Sequence, residues 1–423
     1  MICLLAGSTY GILRNRTFMP VVSREEVGLL GVVGAANNGA DGSDVPHAIA
    51  LLTHRLTDAA FANVTRTLAR GLRDVGVHRV YVVHLRTGNA DGAARVTLED
   101  AVVQVRLDAR RSAFAPLAIA RFLRTERPDL LITMPSIPSL AVLAGWWIAG
   151  RPGKLIVSEH AVMSYESWVQ QPRQLKVRRV PHLARLLYPS ATGIHAVSEG
   201  VRADLLDRVK IRCPLYRTAV IPNAVDLPRV RRLAQEAAPH PWLDDSREIP
   251  VIVAVGRLVT TKNHGLLIEA VSLLLHRQRP VRLLILGEGR ERSRLEAAIA
   301  RHRVGASVQL PGFVANPYPY MARADIFALS SDQEGCSLVL VEAMACGTPV
   351  VATVTAGSRE ILRSDTGVLS PVGDAVAFAD ALERVLADPK AIERLKAGGS
   401  ERVADFAPEL IARRWLRFAA SLS

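Results

Sequence analysis

The chain has 423 residues, with 53 Lys plus Arg against 40 Asp plus Glu, for a net charge of +13. Hydrophobic residues make up 49% and charged residues 22%, which excludes a disordered or low-complexity chain, and the length suits two domains of the usual ~100–200 residues. The four cysteines, Cys3, Cys213, Cys336 and Cys346, form no C-x-x-C and no Cys/His zinc spacing, which excludes a disulfide framework and fits a reducing cytoplasm.

Residues 1–45 show no periodicity and contain a small-residue stretch from Gly34 to Ser43, so they are expected to form an N-terminal extension outside the catalytic fold. Met1 to Gly7 is apolar but lacks a basic n-region, and Arg14 and Arg16 follow too soon for a signal peptide. From Ala48 a repeating pattern begins, of short apolar runs alternating with amphipathic stretches. AIALLT (48–53), VYVVHL (80–85), DLLITM (129–134), KLIVSE (154–159) and GIHAVS (193–198) read as buried strands, with helices at 61–75 and 115–126 among them. Residues 130–150 carry no charge and could span a bilayer core of about 30 Å. Pro135 and Pro138 instead split this run into a strand, a loop and a helix.

The rhythm restarts after Arg217, with AVIPN (219–223), VIVAVG (251–256), RLLILG (282–287), SVQLPG (307–312), IFALS (326–330) and PVVAT (349–353) as strands. Helices are expected near 262–277, 290–302, 338–346 and 374–387. This alternation predicts parallel sheets covered by helices on both faces. The expected domains are 46–217 and 218–407, with a hinge near 215–225 and a last helix at 408–421 free to cap either one. Ligands of such sheets sit beyond the carboxyl ends of the strands, which places a cleft between the two domains.

The segment Ser331-Asp-Gln-Glu-Gly-Cys-Ser-Leu-Val-Leu-Val-Glu-Ala-Met-Ala-Cys-Gly-Thr-Pro349 carries the most chemistry. Its helix should start after Ser337, an N-cap residue type, and end at Gly347, with Pro349 as a stop. Glu334 and Gly335 then precede the helix, and Glu342 lies inside it. At 1.5 Å of rise per residue the two carboxylates stand on the order of 10 Å apart, a spacing that suits one extended ligand. The free N–H groups of Cys336, Ser337, Leu338 and Val339, with the helix dipole, would hold a diphosphate between them. Glu334 would accept hydrogen bonds from sugar hydroxyls and Glu342 from ribose hydroxyls. An idle carboxylate within LVLVEAMA would be costly.

This segment resembles the E-x7-E motif of the family 4 retaining glycosyltransferases, whose two Rossmann-like, doubly wound domains face each other in the GT-B arrangement. Further matches follow in the family's order: Ala196 to Arg202, Ile221 to Asp226, Val255-Gly-Arg-Leu258 with Lys262-Asn-His-Gly265, Leu286-Gly-Glu-Gly289, Leu310-Pro-Gly-Phe313, Gly357-Ser-Arg-Glu360, and Thr366-Gly367 through Pro371 to Asp374. The resemblance covers about the last half of the chain strongly and the first half weakly. It implies a retaining transfer from a nucleoside diphosphate sugar to an acceptor hydroxyl of a glycan or lipid-linked glycan.

It also implies roles for particular residues. Arg257 and Lys262, after the first strand of the second domain, would meet the diphosphate charge. The sequence has no Asp-x-Asp pair, and the family's scheme needs no metal or other cofactor. Gly287, in a lone G-x-G that lacks the third glycine of a dehydrogenase fingerprint, marks a tight turn near the base or ribose. His160 occupies the place of the family's cleft histidine, with Glu159 and His54 as weaker candidates. The first loop, Thr53 to Ala60, departs from the family's glycine-rich turn, so backbone approach to a donor phosphate is restricted there.

Two other classes compete with this one. A sugar-nucleotide epimerase or a phosphorylase of GT-B shape would need further acid/base carboxylates or a pyridoxal lysine. A basic nucleic-acid-binding protein would need aromatic platforms, yet aromatics are 5% of the chain. The surplus positive charge concentrates partly at Arg173, Lys176, Arg178, Arg179 and Arg185, which predicts peripheral contact with the anionic cytoplasmic face of a membrane.

Overall fold

A computed structural model describes residues 45–53, 59–86, 95–98, 102–108, 115–134, 136–170 and 173–422. The 1–45 extension up to Asp44, His54 and most of the 53–60 loop lie outside them. Within the described residues two sheets form. The first holds β1 Ala48–Thr53, β2 Arg79–Arg86, β3 Arg95–Leu98, β4 Val102–Asp108, β5 Leu130–Thr133, β6 Lys154–Glu159, β7 Gly193–Ala196 and β8 Thr218–Val220, in the order β3-β4-β2-β1-β5-β6-β7-β8. All its pairs are parallel except β3 with β4. The second holds β9 Val251–Val255, β10 Arg282–Leu286, β11 Val308–Gly312, β12 Ile326–Leu329, β13 Val350–Thr353 and β14 Val368–Ser370, in the order β11-β10-β9-β12-β13-β14 and wholly parallel.

The continuous apolar runs arise because helices cover both faces of each sheet. In β1, Ala48, Ala50 and Leu52 enter one core while Ile49 and Leu51 enter the opposite one. In β9, Val251 and Val253 enter one core and Ile252 and Ala254 the other. Successive side chains of a strand point to opposite faces, so a strand buried twice cannot alternate with polar residues. Each fully buried Val, Leu or Ile contributes about 1.5–3 kcal/mol relative to exposure.

The structure corrects several expectations. AVIPN does not open the second sheet: β8 pairs with β7 as the edge of the first. Ile221 and Ala224 still belong to a first-lobe core, whereas Val225 and Leu227 belong to the second. The chain therefore crosses between lobes at Ala224–Val225, because burial on the first sheet continues through Ala224. β3, β4 and β14, and the helix Leu175–Leu187, had no counterpart in the sequence reading. Residues 130–150 split into β5 and the helix Ser136–Ile148, with Pro138 in the helix's first turn instead of in a loop before it, and no described helix is long and apolar enough to cross a membrane.

The final helix, Pro408–Ser421, returns to the first lobe, where Ile411, Trp415 and Phe418 are buried. Gly71 in the helix Ala59–Asp74 allows this approach, since a Cβ there would lie 2.5 Å from the carbonyl oxygen of Pro408. Each sheet has a central strand from which the order runs both ways, β1 in the first and β9 in the second. In doubly wound sheets the loops at the carboxyl end of that strand form the binding crevice.

Candidate functional site

In the second lobe β9 ends at Val255 and leads into Gly256, Arg257 and Leu258. β10 ends beside this turn at Gly287, where φ is +149° and a Cβ would lie 1.9 Å from the carbonyl oxygen of Gly256. Gly289 repeats the constraint, with a Cβ 2.3 Å from the carbonyl oxygen of Leu258. The Leu258 amide donates to Glu288 O at 2.9 Å and that of Glu291 to Leu258 O at 3.0 Å. The G-x-G turn therefore braces the Arg257 loop by close backbone packing, for which only glycine has room. The Arg257 side chain is exposed.

Lys262 and Glu334, 72 residues apart in sequence, form an ion pair. Lys262 Nζ donates to Glu334 Oε1 at 2.5 Å, and the Ser331 hydroxyl donates to the same oxygen at 2.6 Å. The side chains are 21% and 13% exposed, so the pair is only partly screened by water. Its frame is local: Asn263, in a left-handed conformation, donates to Asp332 at 2.8 Å, and the Asp332 amide donates to Thr261 O at 2.9 Å. The Ser330 hydroxyl donates to Lys262 O and the Thr353 hydroxyl to Ser331 O. Burial raises the Asp332 carboxyl above the ordinary carboxylate range, with the Asn263 bond opposing.

The helix Leu338–Ala345 starts after Ser337 and ends at Cys346, with Gly347 at φ +79°. The Ser337 hydroxyl makes no capping bond and is buried without a partner among the described residues. Inside the helix Glu342 accepts from the Tyr318 hydroxyl at 3.1 Å. Burial raises the Glu342 carboxyl, opposed by Tyr318 and by the charge of Arg229. Burial pushes the Cys336 thiol up to about 12, so it is neutral at pH 7.

The two lobes touch at Gly335. A Cβ there would lie 2.2 Å from the carbonyl oxygen of His160 and 3.3 Å from Cα of Ala161. A second contact joins Gly200, whose amide donates to Glu360 Oε1 at 3.2 Å, to the helix Ala356–Ile361.

His160 follows β6 and belongs to a buried relay. His195 Nε2 lies 2.7 Å from the carbonyl oxygen of Ile221, an acceptor only, so Nε2 carries the proton. Burial, then the neighbouring His160, pulls His195 down to about 3, so it is neutral and its Nδ1 accepts from the Ser158 hydroxyl at 2.7 Å. Ser158 Oγ must then accept from His160 Nε2 at 2.9 Å. That leaves His160 Nδ1 as an acceptor, with Asn223 Nδ2 at 3.4 Å. Burial lowers His160 to about 4. The hydrogen-bond chain thus assigns the tautomer of the cleft histidine from a carbonyl 61 positions away in sequence.

Because the folded protein resists protonation of His195, the unfolded chain binds more protons between about pH 6.5 and 3. Stability contributed by the neutral ring is present above pH 6.5 and lost as pH falls through that window. The difference in unfolding free energy between the wild type and His195→Gln should narrow progressively from pH 6.5 towards 3, by on the order of a few kcal/mol. Denaturant titrations across this range measure it, and a pH-independent difference would refute the assignment.

Of the expected site residues, Glu334, Gly335, Cys336, Ser337, Leu338 and Lys262 meet around one loop, and His160 abuts it from the first lobe. Glu159 does not join them: fully buried, it accepts from the Tyr188 hydroxyl at 2.5 Å, and burial raises that tyrosine well above its ordinary value. Besides His195 and Asn223 of the relay, four contributors escaped the sequence reading. Ser331 and Tyr318 hold the two glutamates, while Tyr165 and Glu166, from the first lobe, face charges of the second. Burial, then Asp332, raises the Tyr165 phenol; burial raises Glu166, opposed by the charge of Arg257. Ser331 lay inside the motif segment, but no periodicity marks the others. Among the described residues no three His, Cys, Asp or Glu side chains cluster as a metal cage.

Two family models match the chain, glycosyltransferase family 4 over residues 61–229 and glycosyl transferases group 1 over residues 244–402. The lipopolysaccharide core biosynthesis glycosyltransferase LpsE of Rhizobium meliloti is 35% identical over 84% of this chain and 94% of its own length. A Campylobacter jejuni N-acetylgalactosamine-N,N'-diacetylbacillosaminyl-diphospho-undecaprenol 4-alpha-N-acetylgalactosaminyltransferase is 35% identical over 56% of this chain, which spans 62% of that protein. Among solved structures, sucrose-phosphate synthase from Thermosynechococcus elongatus superposes with a TM-score of 0.69 at 22% identity, covering 87% of this chain and 97% of that one. Anabaena HepE in complex with UDP and glucose gives 0.67 at 20% identity, covering 88% and 98%. With both lobes matched and LpsE aligned along nearly its whole length, the chain has the GT-B fold and belongs to the group 1 glycosyltransferases of family 4.

Proposed function

We propose that this chain is a retaining glycosyltransferase that moves a sugar from a nucleoside diphosphate donor to the hydroxyl of a lipid-linked or polysaccharide acceptor in envelope glycan synthesis. The observation that carries this reading is the Lys262–Glu334–Ser331 cluster at the carboxyl ends of the second sheet, set against His160 across the cleft.

In this reading Arg257, Lys262 and the amides at the start of the helix Leu338–Ala345 receive the diphosphate, with the unpartnered Ser337 hydroxyl beside them. Glu334 and His160 orient the sugar, and Glu342 holds the ribose. Positive charge grows on the anomeric carbon while negative charge grows on the departing diphosphate, so fixed cations around the leaving group lower the barrier. The departing phosphate takes the acceptor proton on the same face, which retains the anomeric configuration. No metal takes part. The UDP bound by HepE supports a uridine diphosphate donor. The diphospho-undecaprenol in the name of the Campylobacter relative, and the lipopolysaccharide core in that of LpsE, support a lipid-carried acceptor met at the inner face of the membrane.

Thermal unfolding against a panel of nucleoside diphosphates and their sugars tests the donor. A matched ligand at about a hundred times its Kd should stabilise the fold by about 2.7 kcal/mol, with the shift unchanged by a chelator. No stabilisation by any member would overturn the reading. Turnover of the donor to an isomer without acceptor would indicate an epimerase instead.

A further inference from the structure

The helix Leu175–Leu187 carries a second apolar face that no core requires. Val180, Pro181 and Ala184 turn inward and are buried, with Val180 and Ala184 in the first-lobe core. On the opposite side Leu175, Leu183 and Leu186 are 63%, 43% and 74% exposed. At about 100° per residue Leu175 and Leu186 fall almost on one line, with Arg179 and Leu183 to one side and Arg178 and Arg185 to the other. All three of these arginines are exposed.

The surface continues past both ends of the helix. Trp168 and Val169, in the π-helical segment Tyr165–Gln170, are 40% and 62% exposed, and the Trp168 ring stands 6.3 Å from His182 of the helix. Beyond the C-terminal end, Arg217 donates to the carbonyls of Pro189, Ala191 and Thr192, which holds the exposed Leu215 and Tyr216 near this edge. More than half of the large apolar side chains exposed among the described residues lie in this stretch of chain. Single exposed leucines are ordinary on a protein surface, but a contiguous set interleaved with arginine is not. The same segment reaches the cleft at its other end, where Tyr165 and Glu166 face Asp332 and Arg257.

We propose that the outer face of Leu175–Leu187, extended by Trp168 and Val169, docks the chain on an anionic lipid bilayer and holds the mouth of the cleft at headgroup level. The part concerning acceptor delivery rests on the proposed transfer reaction; the docking itself does not. The leucines and Trp168 enter the headgroup and acyl boundary while the arginines meet lipid phosphates. A second copy of this chain would set arginine against arginine. An anionic glycan would satisfy the arginines yet leave the leucines in water.

Cosedimentation of the full chain with vesicles of phosphatidylcholine alone, and of phosphatidylcholine with phosphatidylglycerol, tests this. Binding should require the anionic lipid and fall steeply at roughly 0.5 M salt. The double variants Leu183→Glu with Leu186→Glu, and Arg178→Glu with Arg185→Glu, should each bind at least tenfold more weakly while keeping the wild-type unfolding temperature and UDP-induced shift. Quenching of tryptophan fluorescence by brominated acyl chains should weaken in Trp168→Phe. Wild-type binding that is absent or indifferent to lipid charge, or double variants that bind like wild type, would overturn the proposal, as would self-association lost in the leucine variant. Vesicle binding without any nucleotide-induced shift would uphold the docking surface and remove the donor reading alone.

Discussion

Glu334→Gln and Lys262→Met should each lower turnover about a thousandfold, the scale expected when a preorganised charge is removed from a developing anion or its frame. Gln keeps the shape of the side chain and still accepts from Ser331, so the loss reports charge. In the Lys262→Met variant the carboxylate of Glu334 is left with one neutral donor, Ser331, in a site only 13% exposed. Because the two act as one unit, the double variant should be little worse than either single one. Steady-state rates with matched donor and acceptor decide it, with thermal unfolding as the control for the fold. Near-wild-type turnover in either single variant would remove the pair from the reaction.

Gly335→Ala should have an effect of similar kind through geometry alone. Its Cβ would meet the backbone carbonyl of His160 at 2.2 Å, and backbone cannot rotate out of the way as a side chain can. The lobes must then separate by about an ångström at the site, enough to cost on the order of a hundredfold in rate where reacting atoms have to be aligned. Nucleoside diphosphate affinity should change little, because the groups proposed to hold it lie in the second lobe, so kcat should fall far more than binding does. Gly305→Ala, where the nearest neighbour of a Cβ is 3.9 Å away, serves as the control and should leave both unchanged. Equal losses in affinity and kcat would place the damage in the donor loop instead of the contact between lobes.

How much could be read in advance follows from the range of each interaction. The strands β9, β10, β12 and β13 and the helix after Ser337 were legible because their signals are local: a doubly buried strand needs an unbroken apolar run, and Gly347 and Pro349 stop the helix, although Ser337 at its start makes no capping bond. The G-x-G turn was legible as a tight turn, but its purpose was not, since the carbonyls that exclude a side chain belong to Gly256 and Leu258 on another strand end. Glu159 and His160 are neighbours in one motif. Only packing shows that the first is spent on Tyr188 inside the lobe while the second reaches the cleft.

The sequence by itself determined the doubly wound pattern and the boundaries of the segment from Ser331 to Pro349, because periodicity, helix stops and glycine placement act within a few residues. Tertiary structure alone decided that β8 closes the first sheet, that Lys262 meets Glu334, that a serine and a second histidine set the tautomer of His160, and that the arginine-rich helix shows leucine to solvent. Each of these depends on groups tens of residues apart brought to within about 3 Å, or on which face of an element the core leaves uncovered. Such distances arise from how the layers stack, which no local pattern encodes.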